Sequence, residues 1–272
     1  MKRSSIFLYG VLCYVLSLVT FVYTFAFVGD LWLANSLDSA RSAPLLKASL
    51  IDLALLTLFA LQHSVMARPA FKRWWTGIVP AAAERSTYLL FSCLALIAVV
   101  VFWQPIGTVV WKAESPAART LLYAVYVFGW GLLLFSTFLL NHFELFGLRQ
   151  VWLQLTGKRY QPLPFRTPVL YRYVRHPLYV GWLCAFWAAP TMTVAHLLFA
   201  LATSTYILIA IRLEERDLVT AHPEYEDYRR SVPMLVPLRA GLPVSPVTAS
   251  SSSAIRRLSV PDWIRSVVKN SP

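Results

Sequence analysis

Ionisable residues are rare in the apolar stretches of this chain, and those present fall at four places. Asp52 and His63 share one apolar run, while Asn141, His142 and Glu144 open "NHFELFGLRQ". Arg175 and His176 stand in "YRYVRHPLYVGW", and Glu214 and Glu215 close the run that carries His196. Such groups are costly in hydrocarbon, so each marks a function or a partner. A histidine at these positions is either an interfacial anchor or a proton acceptor, because its ordinary pKa lies near neutrality. Arg175, Glu214, Glu215, Tyr225 and Tyr228 offer different chemistry. Carboxylates, a guanidinium and aromatic faces suit a ligand that has cationic and carboxylate groups and a flat ring.

Helical spacing limits which of these can meet. Asp52 and His63 are 11 residues apart, which returns to within about 20° of one face but separates them by ~16 Å along the axis. They cannot touch. His63, His142 and His176 fall at a similar depth on one side of the chain's apolar segments, which makes a three-histidine metal site conceivable. None is paired by a short ligand spacing, so no metal is expected.

The elements that carry these residues follow from composition. Hydrophobic residues make up 57% of the 272 residues and charged ones 14%, too apolar for an ordinary soluble domain. Four segments have about the ~20 apolar residues that a membrane-crossing helix needs: Ile6 to Val28, Leu45 to Met66, Ser86 to Trp103 and Arg119 to Leu140. A fifth region, Leu178 to Leu213, is broken at Pro190 and predicts a helical hairpin whose short first arm need not cross fully. The fold class is therefore all-α, a polytopic membrane bundle of five to six spans with a carboxy-terminal hairpin. The first apolar run is longer than a signal-peptide core, so it is expected to stay as an anchor.

Lys and Arg orient the bundle. Lys2, Arg3, Arg68, Lys72, Arg73 and Arg85 flank the first three spans on one side, and Arg149 to Arg175 fill the long loop after the fourth. The positive-inside rule then puts both termini in the cytoplasm, with a bacterial inner membrane the expected location. The net charge of +12 is spread over these loops without a nucleic-acid-binding module, so anionic lipid headgroups are the expected partner. Cys13, Cys93 and Cys184 are odd in number and far apart, the pattern of packed thiols. Three regions result: residues 1–44, a first span and outer loop; residues 45–237, the core, with 168–237 as its ligand-binding part; and a basic, Ser- and Pro-rich tail at 238–272. Nothing in the sequence sets an oligomeric state.

"RHPLYVGW" followed by "EERDLVTAHPEYEDYRRSVPMLVP" resembles the paired motifs of the isoprenylcysteine carboxyl methyltransferase superfamily, integral membrane enzymes. "DLALLTLFALQHSVMARPAFK", "NHFELFGLRQVW" and "FWAAPTMTVAHLLFALATSTYILIAIRLEERDL" are similar to a narrower group, the bacterial methanethiol S-methyltransferases. At His222 and Pro223 the chain departs from the prenylcysteine enzymes, which argues against a prenylated protein substrate. The resemblance implies S-adenosyl-L-methionine bound in a cytoplasm-facing cavity. It implies Tyr173, Arg175, His176, Pro177, Tyr179, Gly181, Glu214, Glu215, Tyr225 and Tyr228 around that cofactor, Arg175 toward its carboxylate and the two glutamates toward its cationic groups. The implied substrate is a small thiol: methanethiol, going to dimethyl sulfide, or hydrogen sulfide.

Methyl transfer to such a thiol needs positioning and a thiolate, and a small thiol is largely protonated at neutral pH. A histidine base fits. His63 or His142 is the first choice, Glu144 or Asn141 would orient it, and Asp52 follows, set back by its depth. Two other readings stay open: a lipid or prenylcysteine acceptor, and a non-catalytic membrane transporter or accessory protein. Transporters often break helices in both halves, and here only the carboxy-terminal half is broken.

Overall fold

The computed structural model describes residues 2–40 and 43–237, which form ten α-helices and two short strands. Five helical segments have the length and apolarity to cross a membrane: Arg3–Val28 (α1), Leu45–Ala67 (α2), Ala81–Phe102 (a 3-10 turn continuing into α4, Glu84–Phe102), Pro116–Leu140 (α5) and Val194–Ala221 (α9). The short helices are Pro69–Trp75 (α3), His142–Leu145 (α6), Leu148–Leu155 (α7), Pro177–Trp187 (α8) and Tyr225–Ser231 (α10).

α1 shows how such a helix sits in lipid. Its Leu12, Val19 and Val22 are exposed while Ser17, Thr20 and Thr24 are buried, the reverse of a helix in water. Thr20 and Thr24 donate their hydroxyls to the carbonyls of Leu16 and Thr20 at 2.8 and 2.7 Å, so these two hydroxyls are satisfied within the helix. α1 packs on α4 and α7 and feeds Phe27 into the main core beside Trp103, Trp130, Phe186, Phe199 and Ile211.

The hairpin is asymmetric, five long spans and a partial sixth. α8 has 11 residues, only ~16 Å of helix against ~30 Å of hydrocarbon. Beyond it comes a short extended stretch, Thr191–Thr193 (β2), paired antiparallel with Val109–Lys112 (β1). Hydropathy does not reveal this strand pair, since all four β1 residues are exposed. The short arm is held by close approach to α5. A Cβ at Gly129 would lie 2.7 Å from the Gly181 carbonyl, and one at Gly181 would lie 2.6 Å from the Gly129 carbonyl, so the two backbones touch where only small residues fit.

α9 is the opposite case. Its 28 residues span ~42 Å, more than the hydrocarbon needs, so its last turns carry Glu214 to Asp217 beyond the other helices. Arg68 secures that end, bonding Asp217 at 2.9 Å and the Leu213 carbonyl at 3.3 Å. α5 stops at Asn141, whose φ of 98° lies where few residues other than glycine go. Its side chain accepts from the Glu144 amide at 3.1 Å and so starts α6 in a new direction.

Candidate active site

These breaks enclose a cavity of about 540 Å³ at the basic face, between the end of α5, the start of α8, the end of α9, α10 and the loop at residues 163–168. The volume is that of a site for a drug-sized molecule. The start of α8 is tied to the carboxy-terminal segment, with the Arg175 and His176 amides donating to the Pro233 and Met234 carbonyls at 2.9 and 3.2 Å.

Glu215 organises one wall. Its Oε1 accepts from Arg175 Nε at 2.7 Å, His176 Nε2 at 3.0 Å and the Tyr225 hydroxyl at 3.3 Å. Arg175 also donates to the carbonyls of Arg229, at 2.9 Å, and Val232. Its guanidinium thus ties the start of α8 to α9 and to the carboxy-terminal segment while it lines the cavity. Glu214 differs from its neighbour: it accepts only from the Tyr179 hydroxyl, at 3.0 Å, and has no basic partner within ion-pair distance among the described residues.

Aromatic rings line the rest. Tyr228 donates to the Tyr171 carbonyl at 2.5 Å, Phe165 stands 5.7 Å from Tyr225 and 5.8 Å from Tyr228, and the Tyr171 hydroxyl is buried without a partner. Burial raises the Tyr225 and Tyr228 phenols above the ordinary tyrosine value, so both remain donors at neutral pH. The remaining wall is Phe138, Leu139 and Leu140 of α5.

Of the residues expected to surround a cofactor, Arg175, His176, Tyr179, Glu214, Tyr225 and Tyr228 line the cavity, and Glu215 stands directly behind them. Tyr173 points to the surface, more than half exposed. Pro177 is the first residue of α8 and Gly181 is its contact with α5; both act on the shape of the wall from outside it.

The residues expected as a base are spread out. Asn141 lines the cavity. Asp52 is buried on the opposite side, accepting from the Gln104 amide at 2.9 Å. His63 sits between α2 and α4 and does not reach the cavity wall: Ser92 donates to the Tyr88 carbonyl at 3.0 Å, so it accepts from His63 Nδ1 at 3.1 Å, and Nε2 takes the Tyr88 hydroxyl at 2.9 Å. His142 repeats this arrangement behind the wall. Thr137 donates to the Leu134 carbonyl and accepts from Nδ1 at 2.8 Å, leaving Nε2 to Tyr14 at 2.9 Å. Burial lowers the His142 pKa, so the ring is neutral. Glu144 does not orient it. That carboxylate takes Arg149 at 2.7 Å and Tyr160 at 2.5 Å, and burial with the adjacent Glu144 pushes the Tyr160 phenol up to about 12. The three histidines thus have separate partners, and among the described residues no three His, Cys, Asp or Glu side chains gather to hold a metal.

Sequence reading missed the loop at residues 163–168, above all Phe165, Arg166 and Thr167, which close the cavity. Arg166 is exposed and has no carboxylate within ion-pair distance among the described residues. The available signal was its setting, "PLPFRTP", where the prolines hold an extended path.

Five apolar spans, two of which line an aromatic cavity with an unpaired carboxylate, define an integral membrane protein with a polar ligand site. Comparison with known proteins narrows the class. The chain is 55% identical over 238 residues to the methanethiol S-methyltransferase of Crocosphaera subtropica, covering 87% of this chain and 93% of that protein. It is 49% identical over 238 residues to the protein of the same name from Mycobacterium tuberculosis, covering 87% and 98%. Nurim of Sus scrofa is 35% identical over 197 residues, covering 69% and 72%. No family model and no solved structure matches the chain. The chain belongs to the methanethiol S-methyltransferase family, and it is a methyltransferase.

Proposed function

We propose that the protein transfers a methyl group from S-adenosyl-L-methionine to methanethiol, releasing dimethyl sulfide, with the cavity facing the cytoplasm. The observation that carries this reading is Glu214, an unpaired carboxylate on the wall of a cavity large enough for the donor. The residues present fit that cofactor: Glu214 for a cationic group, Arg166 for a carboxylate, and Phe165, Tyr171, Tyr225 and Tyr228 for a planar ring. The Tyr171 hydroxyl, buried without a protein partner, is a hydrogen-bonding group available to a ligand. When bound, the sulfonium supplies an activated methyl group.

The protein's own part is positioning. Glu215, already held by Arg175, fixes the start of α8, and Tyr179 fixes Glu214; rigid placement of two reactants is worth several orders of magnitude in rate. The α5 wall of Phe138, Leu139 and Leu140 suits a small apolar acceptor and keeps water from it.

The test is headspace gas chromatography on purified protein in detergent, given methanethiol with and without S-adenosyl-L-methionine. Cofactor-dependent dimethyl sulfide is the expected result. No product, with cofactor binding still seen by calorimetry, would reject the acceptor; no binding would reject the cofactor.

A further inference from the structure

The family reading leaves the thiol's proton without an acceptor. A base must reach the cavity and offer a nitrogen lone pair that no other group occupies.

The chain has five histidines, and four fail that requirement. His63 and His142 have both ring nitrogens engaged and lie off the cavity wall. His196 faces acceptors on both sides, Asp38 at 2.6 Å and the Phe186 carbonyl at 2.9 Å. His222 is not part of the cavity wall: its ring packs behind Phe165 at 5.6 Å and its Nδ1 lies 3.6 Å from Glu224.

His176 lines the cavity. Its Nε2 faces Glu215 Oε1 at 3.0 Å, an oxygen that also accepts from Arg175 at 2.7 Å. A carboxylate paired with a guanidinium is ionised and can only accept, so Nε2 must carry a hydrogen. In the neutral ring that leaves the lone pair on Nδ1, which has no partner among the described residues.

We infer that His176 is the base that accepts the thiol proton, at Nδ1, and that Glu215 is a positioning residue that holds its tautomer. This rests on the thiol-methylation reading above. The division of labour is that of a histidine oriented by a carboxylate in acyl-transfer triads, used here on sulfur. The proton passes from sulfur to Nδ1, and the sulfur electron pair forms the new bond to the methyl carbon. The pair of the broken carbon–sulfur bond stays on the departing sulfur. One thiol and one sulfonium cation become two neutral thioethers, and the positive charge ends on His176, against Glu215. The other charged or titratable groups that line the cavity with the ring are Arg166, Arg175, Glu214, Tyr171, Tyr179, Tyr225 and Tyr228.

The test compares His176→Gln with the unaltered protein. Glutamine can still donate to Glu215 but has no basic nitrogen, so affinity for S-adenosylhomocysteine, by calorimetry, is expected within about threefold. Turnover of methanethiol should fall by roughly 10²- to 10⁴-fold, and the acid limb of the pH–rate profile should move up to the thiol's own ionisation, since free thiolate is then the only nucleophile. In the cofactor-free protein, methanethiol should give the ultraviolet absorbance of a bound thiolate, and His176→Gln should not. A second measurement needs no variant: in the unaltered protein the methanethiol acid limb should lie well below the thiol's own ionisation, where free thiolate is too scarce to carry the rate. The inference is overturned if His176→Gln keeps both limb and rate, if His63→Gln is the variant whose limb moves, or if the limb of the unaltered protein already lies at the thiol's own ionisation. An unaltered protein that makes no methylated thiol would instead reject the reaction itself.

Discussion

Two histidine–carboxylate pairs sit at opposite ends of the hairpin. At one end His196 bonds Asp38 at 2.6 Å and the Phe186 carbonyl at 2.9 Å, while Asp38 also takes the Thr193 amide and hydroxyl at 3.0 and 2.8 Å. Every group there has a partner, and both side chains are nearly inaccessible. At the other end His176 and Glu215 make a similar bond, but His176 lines a cavity and its second ring nitrogen has no partner among the described residues. The residue types are alike; the difference is whether the fold uses up the second nitrogen. A completed pair is a clamp, and an uncompleted one is available for chemistry.

The comparison is broken most directly at the sealed end. Asp38→Ala strands His196 beside a carbonyl and should destabilise the protein by about 3–5 kcal/mol, read as thermal unfolding in detergent, with turnover per folded molecule kept within about threefold. A large loss of turnover in the folded fraction would show that the two ends are not separate in role.

At the open end Glu214→Gln removes the unpaired carboxylate while keeping its shape. A hydrogen bond to a charged group contributes about 1.5–3 kcal/mol, so S-adenosylhomocysteine should bind roughly tenfold to a hundredfold more weakly in calorimetry, with little change in unfolding temperature. Equal affinity would remove Glu214 from the cofactor site. Gly181→Ala tests the scaffold between the ends. Its Cβ would press on the Gly129 carbonyl, and such overpacking costs about 1–3 kcal/mol; unfolding should shift, and the start of α8 with it, so the cofactor should also bind more weakly.

The smallest effect concerns a completed histidine outside the pairs. Burial holds the His142 pKa below the ordinary value of 6.5, so the neutral ring contributes stability that is complete above that pH and is lost as pH falls toward the folded-state value. Melting temperature should therefore decline between about pH 7 and pH 5, with a shallower slope in His142→Gln. An identical slope would place the acid sensitivity elsewhere.

The spans were legible because lipid demands long apolar helices, and Pro190 announced the break in the hairpin. The β1–β2 pair was not legible, since four exposed residues such as Val109 to Lys112 have no periodicity to read. In the site, "RHP" and "EER" lie at the ends of two helices that the structure brings together, but the sequence does not say which glutamate is held by Arg175. His63 and His142 were chosen on depth along the axis. Depth says nothing of the direction around it, and both rings turn toward hydroxyl partners on neighbouring helices. Arg166 was hidden for another reason, because its place depends on the path of a loop.

The α5 wall of the cavity has a further consequence. Phe138 is 54% exposed and Leu140 39%, so the residues that close the cavity on that side also face lipid. A small thiol dissolves in hydrocarbon, and its thioether product, having lost the S–H, dissolves there better. The concentration that governs saturation is then the one in the bilayer, fixed by the acceptor's oil–water partition coefficient. A more lipophilic thiol of the same size should show a lower apparent KM against its aqueous concentration at the same kcat, and the membrane itself acts as the product's exit.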